Sequence, residues 1–185
     1  MRIRKALRAD QDFTSRFLAV LGNALIIIAE SKFGQPGFFI LASHFIHEYM
    51  EPAYFRKVEV LLDSLEGYGF PSDQGPVGNM RKEHKKGREI SQMLTEAAQH
   101  WKSGDEVSRA DVIWAGSEYT SLMRRHSSLL NNLIFPLLEQ SFSIEEEQQI
   151  AARVNLIGSA GAALTGSEKY IRMVETLEEE VSDWR

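Results

Sequence analysis

The chain has 185 residues, 21 basic against 26 acidic side chains, a net charge of −5 and no cysteine. That size argues for one domain; the missing cysteine excludes disulfide scaffolds, thiolate metal sites and cysteine nucleophiles, and the acidic balance argues against a nucleic-acid partner. No apolar run reaches the roughly 18 residues of a membrane span and no secretory leader is visible, so the expectation is a cytoplasmic chain with no membrane partner.

Apolar residues recur at i, i+3, i+4 and i+7 almost throughout, which is the period of amphipathic helices. The first long helix is expected over 9–30, after a basic start that reads either as a loosely ordered terminus or as a contact for a partner. A break at 31–37 precedes a second helix over 38–66, and the Gly/Pro-rich stretch 67–76 precedes a third over 77–102. A fourth follows over 107–140, then two shorter helices over 144–156 and 167–182 with a glycine-rich connection between them. Ser143 and Glu146 have the spacing of a capping box. The tail from Glu175 to Asp183 is acidic and reads as solvated. Short connections favour antiparallel neighbours, so the fold class is all-α. The expected architecture is an up-down-up-down four-helix bundle over 9–141 with a helical extension over 143–183. Pro52 and Pro136 fall inside helical pattern and should bend or end it.

Polar residues interrupt the inward stripes. The second helix reads Ile40, His44, His47, Glu51, Tyr54, Val58, Leu61, Leu65; the third reads Met80, His84, Gly87, Ser91, Leu94, Ala98, Trp101; the fourth reads Tyr119, Leu122, His126, Leu129, Leu133. Burying such groups costs several kcal/mol unless they are paired or ligated, and inward His and Glu are how bundles build metal sites.

Gly75-Pro-Val-Gly-Asn-Met-Arg-Lys-Glu-His84-Lys-Lys-Gly-Arg88 resembles the third-helix signature of hemerythrin-like (HHE cation-binding) domains. Tyr119 to His126 with Leu133-Ile-Phe-Pro136 is similar to their fourth helix, and Leu61 to Pro71 to the end of their second. The resemblance covers about 9–150. It implies a four-helix bundle and, in members with complete motifs, a non-haem di-iron centre tied to dioxygen, nitric oxide or iron handling and sensing. Carried over residue by residue, the first-helix His falls near Gln11, the second-helix pair on Tyr54 and Val58, and the fourth-helix carboxylate on Leu130 or Asn131. Only His84 and His126 match, and no bridging carboxylate remains, which argues against a standard di-iron centre.

Helix rise places Tyr54 level with His84, His126 and Gln11, Glu51 near Arg88 and Met123, and His47 near Tyr119 and Ser91. Three readings follow. One is a single iron, zinc or manganese ion on His84 and His126, with Tyr54 or Glu51 and with His47 nearby. Another is a metal-free pocket, filled or holding a small ligand, in which Glu51 pairs with Arg88 and the histidines bond to Tyr54 and Gln11. The last is a sensory or interaction module that keeps only the bundle and signals through its C-terminal helices. Arg81, Lys82, Lys85 and Lys86 form a basic strip beside His84, read either as a solvated helix face or as an anion-attracting patch. Homo-oligomer formation stays open.

Overall fold

The computed structural model describes residues 2–31, 33–161 and 165–184, and these residues form six helices with no strand among them. Helix α1 spans Arg2–Glu30. Helix α2 (36–68) joins an α segment, Pro36–Phe45, a π-helical segment, Ile46–Phe55, and a second α segment, Arg56–Tyr68. Helix α3 is Gly75–Lys102. Helix α4 (108–141) contains a π turn, Leu130–Ile134, between Ser108–Leu129 and Phe135–Ser141. Helices α5, Ile144–Gly161, and α6, Thr165–Asp183, complete the chain. The connection expected at 158–167 therefore begins later, and 162–164 lie outside the described residues.

The two π segments explain where the inward stripes depart from the expected ones. A proline ring clashes with the carbonyl four residues earlier and offers no N–H. For Pro52 and Pro136 those carbonyls belong to Glu48 and Asn132, and both lie within π segments. A wider π turn advances the inward face by more residues per turn. The buried face of α2 accordingly runs Ala42, Ile46, Met50, Tyr54, Val58, and that of α4 runs Leu122, His126, Leu130, Ile134, Leu138. Met50 takes the inward place expected of Glu51, His44 is exposed, and Leu133 gives way to Ile134. The stripe of α3, which has no interruption, is buried at every expected position from Met80 to Trp101.

The closest packing is between α3 and α4; α1 lies on α4, α5 and α6, and the first segment of α2 lies on α3 and α6. One hydrophobic cluster includes residues of all six helices, with Ile150, Val154, Val174, Leu177 and Val181 from the last two. The C-terminal pair is thus part of the core, and the acidic tail is not simply solvated. Val174, Leu177 and Val181 are buried, Glu178 receives two 2.6 Å hydrogen bonds from Arg16, and Trp184 packs 5.0 Å from Phe38. The basic start is helical rather than loose. Ile3 and Leu7 are fully buried, each contributing about 1.5–3 kcal/mol, and the backbone amides of Arg2 and Ile3 donate to Glu147. An 18-residue window of α1 is apolar enough, by length and composition, to cross a membrane, although no unbroken apolar run in it reaches that length. Its large side chains Phe17, Leu21, Leu25 and Ile28 are buried in the core.

Two local motifs act as the sequence implies. Glu146 accepts from the Ser143 amide at 2.8 Å and donates its own amide to Ser143 Oγ at 3.3 Å, so the capping box forms. At the start of α3, Gly75 has φ +61° and Gly78 lies against the loop that enters the helix, where a Cβ would overlap the Asp73 carbonyl. Gly78→Ala should therefore cost about 1–3 kcal/mol by forcing that loop outward. Urea unfolding measures this, and an unchanged midpoint would show that the loop moves freely.

Candidate functional site

His84 and His126 come from facing positions on α3 and α4, and their ring centroids are 5.0 Å apart. Phe55, from the π segment of α2, stacks on His84 at 4.6 Å and lies 5.6 Å from His126. Tyr54 stands edge-on to His126 at 5.8 Å. The two histidines, Tyr54 and Phe55 are buried in the middle of the molecule.

His84 is oriented from outside. Its Nδ1 donates to Glu59 at 2.5 Å, and the second oxygen of Glu59 accepts from Arg81 at 3.3 Å. Arg81 is fixed in turn by Asp63 and Glu66, each at 2.7 Å. Burial raises the Glu59 pKa, but the hydrogen bonds and charges of His84 and Arg81 outweigh it and hold the carboxyl below its ordinary value. Arg81 is thus an anchor within an ion-pair network, while Lys82, Lys85 and Lys86 form the solvated part of the strip. This carboxylate–histidine arrangement turns Nε2 of His84 toward the interior. There it has no hydrogen-bond partner.

His126 is neutral. Burial, and then the neighbouring His84, push its pKa down to about 3. Both of its ring nitrogens lack partners, as do the hydroxyls of Tyr54 and Tyr119 and Oε2 of Glu83. Burial raises the Tyr54 phenol and Asp10 adds to the shift, while Ser127, close enough to act as a weak hydrogen-bonding neighbour though outside normal bonding geometry, opposes it. Burial also raises Tyr119, helped by Glu51 and Tyr54, and it raises Glu83 against the pull of Arg125. Buried polar groups are nearly always hydrogen-bonded, and each exception asks for a water, an ion or a functional reason. Among the described residues these exceptions lie on α2, α3 and α4, and those of Tyr54 and Glu83 stand beside the two histidines.

The other expected site residues are placed differently. Glu51 does not pair with Arg88. Arg88 is exposed, and Glu51 instead accepts from His47 at 3.1 Å and Ser91 at 3.3 Å. The π register, which turns Glu51 to the flank, is the reason. The second nitrogen of His47 is taken by Thr95 at 3.2 Å, so His47 and Glu51 form a separate, internally satisfied tier. Gln11 donates to Asn131 at 3.4 Å, bringing together two of the positions to which the family resemblance assigned ligands. Among the described residues no group of three or more His, Asp or Glu is arranged to hold a metal ion outright. The donors that do meet are two imidazoles, with Tyr54 and Glu83 beside them.

Sequence reasoning missed Glu59, Phe55 and Glu83. Glu83 was visible as the acidic half of the Glu-His pair, but its direction was not. Glu59 lies on the outer side of α2 and carried no signal of its own. Comparison with family models, with curated proteins and with solved structures finds no match for this chain.

Proposed function

We propose that this chain is a hemerythrin-like up-down-up-down four-helix bundle, extended by two shorter helices, that binds one metal ion or a small polar ligand between His84 and His126. It does so without a standard di-iron centre. The observation that carries this reading is the cluster of unpartnered buried donors around a histidine already oriented from outside by a carboxylate. A fold that needed only packing would be more stable with Leu in place of His126, whose ring nitrogens both lack a hydrogen-bond partner.

In this reading Glu59 and Arg81 orient His84, Phe55 shields both rings from water, and Tyr54 packs its ring edge-on to His126. A bound iron, zinc or manganese ion would supply Lewis acidity, and iron or manganese one-electron chemistry as well. The contact between Gln11 and Asn131 supports the family register, because it joins α1 to α4 where that register places two lost ligands. The missing ready-made three-ligand group favours a second reading, in which the same pocket is metal-free and its polar atoms hold ordered water or a small neutral molecule.

Loading the purified protein with iron(II), zinc or manganese(II), and counting bound metal after gel filtration, separates the two. The expected result is about one ion per chain, the stoichiometry of a single two-imidazole site, lost in both His84→Ala and His126→Ala while circular dichroism stays helical. Folded variants that retain the metal would place it elsewhere. A wild type that takes up none of the three ions would leave the metal-free reading.

A further inference from the structure

Glu83 directly precedes His84 on α3 and faces two environments. Its Oε2 is buried without a hydrogen-bond partner and lies 3.8 Å from Nδ1 of His126. The same side chain lines a surface cleft of about 610 Å³ between α3 and α4, beside Asn79, Lys82, Arg125, Ser128 and Asn132. The neighbouring carboxylates are engaged: Glu59 by His84 and Arg81, Glu51 by His47 and Ser91, and Asp10 by Lys57 and Tyr49. Glu83 has an oxygen left over, and that oxygen is on the side of the histidines.

We propose that Glu83 is the anionic ligand of a divalent cation held by His84 and His126, and that the cation reaches them through the α3–α4 cleft. This rests on the metal-binding reading above. Two neutral imidazoles alone would leave a double charge unmatched in an apolar core, which is costly; one carboxylate halves it. Two histidines and a carboxylate are a donor set shared by zinc and iron(II). With bonds of about 2.0–2.2 Å, ligand atoms around a tetrahedral ion stand roughly 3.4 Å apart. The 3.8 Å between Glu83 and His126 is close to that spacing. The three residues are not arranged as a ready-made ligand group, so Glu83 must rotate toward the histidines as the ion binds.

Cobalt(II) is a suitable probe, because its visible absorption reports coordination and equilibrium dialysis of the full chain gives the affinity. Glu83→Gln keeps the size and shape of the side chain and should weaken cobalt(II) binding by at least about tenfold, with a changed spectrum. His84→Ala should abolish binding. Ser128→Trp, in the wall of the cleft, should slow uptake without changing the final affinity. If Glu83→Gln binds with unchanged affinity and spectrum, Glu83 is not a ligand, although the two-histidine site stands. An unchanged uptake rate in Ser128→Trp overturns the route alone. A wild type that takes up no cobalt(II) removes the metal-binding reading itself, and this proposal with it.

Discussion

Asp10→Ala is expected to lower the unfolding free energy by about 3–5 kcal/mol, among the largest losses available to a single substitution here. Asp10 lies on the buried side of α1, and its two oxygens accept from Lys57 Nζ at 2.9 and 2.8 Å while Tyr49 donates to it at 2.9 Å. The side chains of Lys57 and Asp10 are only 12% and 10% exposed. Removing the carboxylate leaves an ammonium and a phenol in the core with no partner, and it is this unpaired charge that makes the loss large. Replacing both partners, as in Asp10→Leu with Lys57→Met, removes the charges together. That variant should be close to the wild type in stability or above it. Urea unfolding at pH 7 checks both. A loss below about 1 kcal/mol for Asp10→Ala, the range of exposed pairs, would mean that water reaches the network.

His126→Leu is expected to do the opposite, raising the stability of the metal-free protein by about 1–3 kcal/mol while ending ligand uptake. The ring carries two buried nitrogens with no partner, and Leu fills a similar volume without them. His84→Leu should not share this gain, since it removes the donor to one oxygen of the partly buried Glu59. The pH dependence gives a second reading of the same site. The unfolded His126 ring takes up a proton below about pH 6.5, whereas the folded one resists until about 3. Between those values the unfolded state binds more protons, so stability falls as pH falls, by up to about 1.4 kcal/mol per unit. Glu59, held below its ordinary 4.5, adds a loss of the same sign only in the acid range, and Glu83, held above it by burial, works against that loss. His126→Leu should therefore flatten the slope between pH 6.5 and 5 relative to the wild type, which carries the same carboxylates. An unchanged slope, or a less stable variant, would show that His126 is satisfied by groups or water within the fold.

Much of the fold was legible because helical periodicity is a local signal. The uninterrupted stripe of α3 and the capping box at Ser143 needed only spacing and residue type. What was not legible came from two prolines. Pro52 and Pro136 were visible as disturbances, but their resolution into π segments depends on packing along the whole helix. That shift turned Met50 inward, left Glu51 to His47, and undid the expected pair with Arg88. His84 and His126 survived because both lie before the π turn of α4 or on the undisturbed α3. Their partners were harder to find. Glu59 and Arg81 meet His84 from outside the core, and periodicity marks only the inner face. The buried role of Asp10 was hidden as well, since an Asp near a helix start reads as surface until Lys57 and Tyr49 are brought to it. The docking of the basic start and the acidic tail was missed for a related reason: their few apolar residues, Ile3, Leu7, Val174 and Leu177, find partners only in the assembled core.

The unpartnered polar atoms around His84 and His126 are read here as the site of one metal ion. The most direct test of this reading is metal content by mass spectrometry on tag-free protein, expressed with iron, zinc and manganese all available, with a visible spectrum on the same sample. The account predicts about one metal ion per chain, as a two-histidine site with a single carboxylate allows, and its loss when either histidine is replaced by alanine. Two irons per chain would contradict it, because no second set of ligands is in place among the described residues. No metal and no colour would also contradict it, and would assign these polar atoms to buried water or a small neutral ligand instead.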